Sequence, residues 1–299
     1  MRTVYLGTSA FAVAILERLA GSPHRPVLVV TRPDRPKGRG RRLLPPPAAE
    51  AARALGIDLL QPEALHAPET LSAIATAEPD ALIVCAFGAL VKEPLLSDYE
   101  ILNVHPSLLP RWRGAAPIER AVMAGDAETG VAIMRLTAGL DSGPVALQER
   151  EPILPDDDFA TLSARLERLG GDLLVRALDE RPVFVEQSEE GLTYAEKITA
   201  ADRTLDPSRG AVELERVVRA LRPHIGARAA LANGQFLGVW AARVAPEGVA
   251  GRDAPPPGLH REGDRLLLGG LELTEVQPPG GRRMAAAEWL RGRPAGLGG

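Results

Sequence analysis

The sequence contains little cysteine and few aromatic residues. Cys85 is the one cysteine, so no disulfide can form within the chain, and aromatic residues make up 4% of it. No apolar run reaches the roughly 18 residues that indicate a membrane span. The N-terminus also lacks the apolar stretch and cleavage pattern of a secretory signal. We therefore expect a cytoplasmic protein with no membrane partner.

Several functional motifs are missing as well. The sequence has neither a G-x-G-x-x-G fingerprint nor a P-loop, which disfavours a dinucleotide site. Four histidines, His24, His66, His224 and His260, are scattered without the spacing of metal ligands, so we predict no metal. Cys85 lies in a continuous apolar run, which favours a core residue over a nucleophile.

The first half of the chain alternates short apolar runs with helix-like segments. Such alternation predicts an α/β fold with a Rossmann-like parallel sheet, in which ligands bind beyond the carboxyl ends of the strands. Gly7, the segment 86–88 and His105 fall at such ends. The strand-like runs are 4–6, 26–31, 58–61, 81–86, 101–104 and 131–136, with helix-like segments at 11–20, 48–55, 67–77 and 118–124.

The second half differs in texture. A long helical pattern over 158–178 is followed by the polar stretch 186–206 and a further helical pattern over 212–221. Beyond it, short strand-like runs separated by glycine and proline indicate a small β-barrel or sandwich. We therefore predict three regions: a catalytic domain over 1–187, a linker over 188–205 and a smaller C-terminal barrel over 206–299.

A candidate catalytic group lies between residues 102 and 143. Asn103 and His105 are two residues apart in a predicted strand, so their side chains should project from the same face at its carboxyl end. Asp141 follows in the glycine-flanked loop GLDSG. An amide, an imidazole and a carboxylate together can stabilise an oxyanion and move a proton in acyl-type transfer. Taken singly, His105 would more often be structural, and Asp141 would more often cap a turn.

The segment 32–42, RPDRPKGRGRR, carries six basic residues and one acidic residue. Its prolines and glycines disfavour a helix. Two interpretations stay open: a solvated loop, or an arm that binds the phosphates of a nucleic acid.

Together these motifs resemble the methionyl-tRNA formyltransferases of the formyltransferase superfamily, over nearly the full length of the chain. The resemblance depends on GTSAF, the basic segment, NVHPSLLPRWRGAAPIERAVMAGDAETGVAIMRL, GLDSGP and TYAEKI. Two departures are visible: Pro106 stands where many members carry glycine, and RPHIG at 222–226 stands where many carry aromatic residues and proline.

The resemblance implies a Rossmann-like catalytic domain and an OB-like C-terminal barrel that helps to hold tRNA. It implies formyl transfer from 10-formyltetrahydrofolate to the α-amine of methionyl initiator tRNA, in support of translation initiation by a monomer. Asn103, His105 and Asp141, hereafter the trio, would be catalytic. The folate cosubstrate would contact Ser107, Leu108, Leu109, Pro110, Ala86, Phe87, Gly88 and Leu90, and the tRNA would contact Arg35, Lys37, Arg39, Arg41 and Arg42.

Three other functions remain open at this point. A formyltransferase acting on a nucleotide-sugar amine would keep the catalytic trio but would not need the basic segment. A tRNA-binding protein without catalysis would not need the trio. A hydrolase that releases formate from the folate would act without an amine acceptor.

Overall fold

The computed structural model describes residues 1–37, 42–246 and 258–291. Its elements follow in chain order. They begin with β1 (Thr3–Gly7), α1 (Ala10–Ala20), β2 (Pro26–Val30), β3 (Arg35–Lys37), β4 (Arg42–Leu44), α2 (Pro47–Leu55), β5 (Asp58–Leu60), α3 (Pro68–Thr76), β6 (Ala81–Cys85), α4 (Leu95–Asp98), β7 (Ile101–His105), β8 (Arg113–Gly114) and α5 (Pro117–Ala124). They continue with β9 (Glu128–Arg135), β10 (Val145–Pro152), α6 (Phe159–Glu180), β11 (Tyr194–Ala195), α7 (Ala211–Leu221), β12 (Ala227–Ala230), β13 (Phe236–Val244), β14 (Leu259–Glu262), β15 (Arg265–Leu268), β16 (Leu271–Gln277), β17 (Met284–Ala285) and α8 (Ala286–Arg291).

The chain divides into two compact units. The first comprises Met1–Gly114, Glu128–Pro152 and Ser163–Ala195, and the second comprises Ala115–Ala127, Ile153–Leu162 and Glu196–Gly299. Residues 188–195 of the predicted linker thus fall in the first unit, and the predicted domain boundaries stay a prediction. Among the described helices, none is both long enough and apolar enough to cross a membrane.

A seven-stranded sheet forms the centre of the first unit, in the order β10-β9-β7-β6-β1-β2-β5. The five strands from β7 to β5 are mutually parallel. The apolar runs of β7, β6, β1 and β2 are largely buried, as expected of the inner strands of a doubly wound sheet, whereas the edge strand β5 is partly exposed. Gly170 allows α6 to approach β7 closely, because a Cβ at this position would lie 3.0 Å from Cγ1 of Val104. The predicted fold class is confirmed.

The last two strands of this sheet run antiparallel, which the β-α alternation did not predict. β9 pairs antiparallel with β7, and β10 pairs antiparallel with β9. The sequence of β10, VALQEREP, is charged and half-exposed because it is an edge strand with one neighbour. An edge strand of this composition lacks the apolar run that identifies the inner strands.

Part of the basic segment belongs to a short hairpin. β3 pairs antiparallel with β4, with Arg35 opposite Leu44 and Lys37 opposite Arg42. Residues 38–41 lie outside the described part of the chain.

An antiparallel sheet in the order β12-β13-β16-β15-β14 organises the second unit, with β17 paired to β16. Its apolar face packs with α7 and α8 around Leu214, Leu237, Leu273 and Trp289. The predicted helix and short strands of the C-terminal region are present in this unit.

Candidate active site

Asn103 and His105 are the third and the last residues of the five-residue strand β7. The pairing of β7 with β9 places Asn103 opposite Met134 and His105 opposite Ala132. Both polar side chains are almost fully buried, with 8% and 4% of their surface exposed. Asp141 lies in the loop between β9 and β10 and is half-buried.

The structure brings these three side chains together. Asn103 Nδ2 lies 3.4 Å from Asp141 Oδ1. His105 Nδ1 lies 3.7 Å from Asp141 Oδ2, longer than a direct hydrogen bond. The carboxylate therefore faces both the Asn103 amide and the His105 imidazole, from which it is 38 and 36 residues away in sequence.

Backbone groups fix the orientation of two members of the trio. The Gly114 N–H donates to Asp141 Oδ2 at 2.9 Å, and His105 Nε2 lies 2.9 Å from the carbonyl oxygen of Trp112. A carbonyl oxygen can only accept, so Nε2 carries the proton of this contact. Nδ1, which faces Asp141, is therefore the ring nitrogen that can gain or lose a proton.

Gly114 suits its position for a steric reason. Its φ of +121° favours glycine, and a Cβ there would lie 2.8 Å from the carbonyl oxygen of Ala195. The pairing of β8 with β11 causes this close approach. Sequence reasoning missed both Gly114 and Trp112, because they act through backbone atoms that any residue type possesses.

The segment 107–110 follows β7 directly. Ser107 is fully buried, and its Oγ donates to the carbonyl oxygen of Arg111 at 2.6 Å. Leu108 packs against Gly130, where a Cβ would lie 2.5 Å from Leu108 Cδ2. Leu109 is buried, whereas Pro110 is partly exposed. The Ser107 hydroxyl thus has a backbone partner within its own turn.

The segment 86–90 leaves the carboxyl end of the neighbouring strand β6. Phe87 is buried, and its carbonyl oxygen accepts from Thr8 Oγ1 at 2.7 Å. Ala86, Gly88 and Leu90 are exposed, Leu90 to 68% of its surface. Gly88 has a φ of +76° and open space where a Cβ would stand. Ala86, Gly88 and Leu90 thus form an apolar, accessible surface, here called the apolar ledge, at the same edge of the sheet as the trio.

The predicted tRNA-contacting residues are only partly described. Arg35 and Arg42 are exposed, and Arg35 Nη2 lies 2.8 Å from Glu63 Oε2. Lys37 ends β3, and Arg39 and Arg41 lie outside the described residues.

Cys85 is a further potentially reactive side chain near this edge of the sheet, and it lies in the protein core. Burial raises the pKa of the Cys85 thiol to about 12. Cys85 is fully buried, which agrees with its prediction as a core residue. Within the described ranges, no group of three or more His, Cys, Asp or Glu side chains could hold a metal ion.

The trio has the components of an acyl-transfer site. The Asn103 amide can donate to a developing oxyanion, and the His105 ring can exchange a proton at Nδ1. Asp141 is aimed at both and is held by a backbone N–H. The low exposure of Asn103 and His105 strengthens the electrostatic interactions among these groups.

Comparison with known proteins gives matches over both units. The formyl transferase family model matches residues 1–178, and the model described as formyl transferase, C-terminal domain, matches residues 197–294. Relatives named methionyl-tRNA formyltransferase include one from Halorhodospira halophila, 44% identical over 98% of this chain and 96% of its own. Another, from Dechloromonas aromatica, is 41% identical over 100% of this chain and 98% of its own.

A solved structure shares the fold at low identity. HypX from Aquifex aeolicus in complex with tetrahydrofolic acid matches with a TM-score of 0.63 and 17% identity, over 97% of this chain. The chain spans 47% of the length of that protein.

Proposed function

This chain belongs to the formyl transferase family, and we propose that it transfers a formyl group from 10-formyltetrahydrofolate to the α-amine of methionyl initiator tRNA. The reaction supports translation initiation. One observation carries the proposal: relatives named methionyl-tRNA formyltransferase match the whole chain, second unit included, at 41% and 44% identity.

The folate donor suits the apolar ledge beside the trio. Exposed Leu90 and Ala86 can cover an apolar ring system, and the open space at Gly88 permits close approach to the backbone. The segment 107–110 would contact the donor from the adjacent strand end. The donor supplies the formyl group and leaves as tetrahydrofolate, and the reaction needs no metal from the protein.

Asn103 acts on the formyl oxygen. When the amine attacks the formyl carbon, negative charge develops on this oxygen. The Nδ2 group of Asn103 carries two hydrogens, of which one faces Asp141, so the other can donate to the oxyanion. Because Asn103 is buried, this hydrogen bond is stronger than it would be in water.

His105 and Asp141 handle the protons. His105 presents Nδ1 to the reacting groups, since Nε2 is held by the Trp112 carbonyl. Asp141 orients the imidazole and helps to take the proton from the attacking amine. Nδ1 accepts the proton released by the attacking amine, and the imidazolium so formed can donate either to Asp141 Oδ2, 3.7 Å away, or to N10 of the departing tetrahydrofolate as the bond between the formyl carbon and N10 breaks.

The basic segment binds the tRNA substrate. Arg35, Lys37, Arg39, Arg41 and Arg42 would neutralise phosphates, and the second unit would help to hold the tRNA. The protein would act as a monomer in the cytoplasm.

A parallel assay of two acceptors tests this function. Labelled formyl is transferred from 10-formyltetrahydrofolate to methionyl initiator tRNA or to methionyl elongator tRNA. We expect product with the initiator only. If neither tRNA is formylated while the donor is cleaved, the acceptor is water or a small amine, such as that of a nucleotide sugar. Formate release without any amine would identify a hydrolase.

A further inference from the structure

Gln187 connects the loop of Asp141 to a buried arginine. Its Nε2 donates to the carbonyl oxygens of Asp141 and Gly143, at 2.8 and 2.7 Å. Its Oε1 accepts from Arg113 Nε at 2.9 Å. All polar atoms of this side chain are thereby used, and the two carbonyl partners fix which end of the amide carries the hydrogens.

The loop that Gln187 holds is conformationally strained. Asp141 has a φ of +44°, a left-handed conformation that is unfavourable for a non-glycine residue. Such a conformation persists only when its surroundings impose it. The double donation from Gln187 is one such constraint, since it binds the carbonyl of Asp141 itself and that of Gly143.

Thr193 plays a matching part on the side of His105. Its Oγ1 accepts from the Trp112 N–H at 2.9 Å, and its carbonyl oxygen accepts from the Arg113 N–H at 3.0 Å. Trp112 has a φ of +63° and presents the carbonyl that binds His105 Nε2. Thr193 therefore fixes the peptide that orients the imidazole.

We propose that Gln187 and Thr193 are positioning residues for the formyl transfer: Gln187 holds Asp141, and Thr193 holds His105 through Trp112. The inference rests on the proposed function for its chemistry. It also gives the motif TYAEKI a role, since Thr193 is the first residue of this motif. A displacement of about 1 Å in such a site can cost on the order of 100-fold in rate.

The test compares four variants with the intact protein. Gln187→Met removes the amide, and Thr193→Val removes the hydroxyl at nearly constant volume. Thr193→Ser keeps the hydroxyl. Thr70→Val is a control of the same chemical change, because the Thr70 hydroxyl also bonds to a backbone group: it donates to the carbonyl oxygen of Ala64 at 3.1 Å.

We expect kcat to fall roughly 10- to 100-fold in Gln187→Met and Thr193→Val. The KM for 10-formyltetrahydrofolate and the KM for methionyl-tRNA should each stay within about twofold of the original. Thr193→Ser and Thr70→Val should keep kcat near the original value. Unchanged kcat in the first two variants would overturn the proposal, as would an equal loss in Thr70→Val.

Ring and amide NMR signals separate this inference from the proposed function. The ¹⁵N shifts of His105 should show a single Nε2–H tautomer, which becomes mixed in Thr193→Val. The Gly114 amide proton, which binds Asp141, should shift in Gln187→Met. These NMR signals are recorded on the protein without an acceptor substrate. They therefore test the positioning of His105 and Asp141 even if methionyl-tRNA is not formylated. Signals unchanged in both variants would overturn it.

Discussion

Two carboxylates, Asp141 in the first unit and Glu272 in the second, differ in which groups bind them. Glu272 accepts from Arg243 at 2.9 and 3.1 Å, and also from Arg265, so both of its oxygens are bound by guanidinium groups. Burial alone would raise the pKa of Glu272, but these hydrogen bonds outweigh it and lower the pKa. In the trio, the side-chain distances are 3.4 and 3.7 Å, and the shorter contacts are to backbone groups.

This difference distinguishes a structural cluster from a reactive one. A cluster whose side chains saturate one another has no hydrogen-bonding capacity left for a substrate. A cluster held by backbone groups keeps its side chains aligned while their mutual contacts stay long. We therefore propose that Glu272 contributes to stability and the trio to turnover, and each proposal can be tested separately.

The largest effect should come from the trio itself. We expect Asn103→Ala and His105→Ala each to lower kcat by at least about 100- to 1000-fold, because each removes a donor from the oxyanion or the proton path. Single-turnover formyl transfer measures the loss, and thermal unfolding checks that the variants are folded. His260→Ala is a suitable control and should retain activity. Near-normal turnover in either trio variant would remove that residue from the mechanism.

The next effect should fall on stability alone. Glu272→Ala leaves Arg243 and Arg265 without their carboxylate, and we expect a loss of about 1–3 kcal/mol in the free energy of unfolding. The lower part of this range accounts for the exposure of Arg243. Urea unfolding followed by tryptophan fluorescence measures it, since Trp240 and Trp289 lie in the second unit. A fall in kcat without a loss of stability would break the comparison.

The sequence predicted the members of the trio better than their support. The i, i+2 spacing of Asn103 and His105 and the sheet edge they share both follow from strand periodicity, and the structure has the two side chains at that edge. Gln187 gave no signal, and Thr193 was visible only as the first residue of TYAEKI, with no role. The contacts through which both residues hold the trio are to backbone atoms, and β8 pairs with β11 over only two residues. Tertiary contacts of this kind leave no periodic pattern.

A smaller effect is expected from the basic segment. Arg39→Ala should raise the KM for tRNA and lower the salt dependence of tRNA binding by about 0.7–0.9 in slope, while folate affinity is unchanged. Arg176→Ala serves as a charge-matched control, since Arg176 lies in α6 and contacts Glu149. A matching loss of folate affinity would contradict the assignment. A flat salt profile in the original protein would make the segment a solvated loop.

An ion pair in the second unit should have a weaker, pH-dependent effect. The hydrogen bond from Arg120 lowers the pKa of Asp202 to about 2. A lowered pKa in the folded state stabilises the protein above the unfolded pKa, near 3.9, and this contribution is lost as the pH falls toward 2. Asp202→Asn should therefore cost about 1 kcal/mol at pH 7. Unfolding at a series of pH values should show the difference from the original protein shrinking below pH 4; a constant difference would contradict the pair.

The smallest effect is expected at Cys85, and it tests whether nearness to the site implies a role in it. Cys85 ends β6 at the same sheet edge as His105, yet burial raises the pKa of its thiol to about 12. At pH 8 the thiolate fraction is then on the order of one in 10⁴, so iodoacetamide should not modify the native protein. It should modify the protein unfolded in urea. Cys85→Ala should keep kcat, because the trio uses groups held by backbone contacts rather than this thiol. Rapid alkylation of the native protein that also blocks formyl transfer would mean that the edge opens around Cys85 and that its side chain belongs to the reactive region.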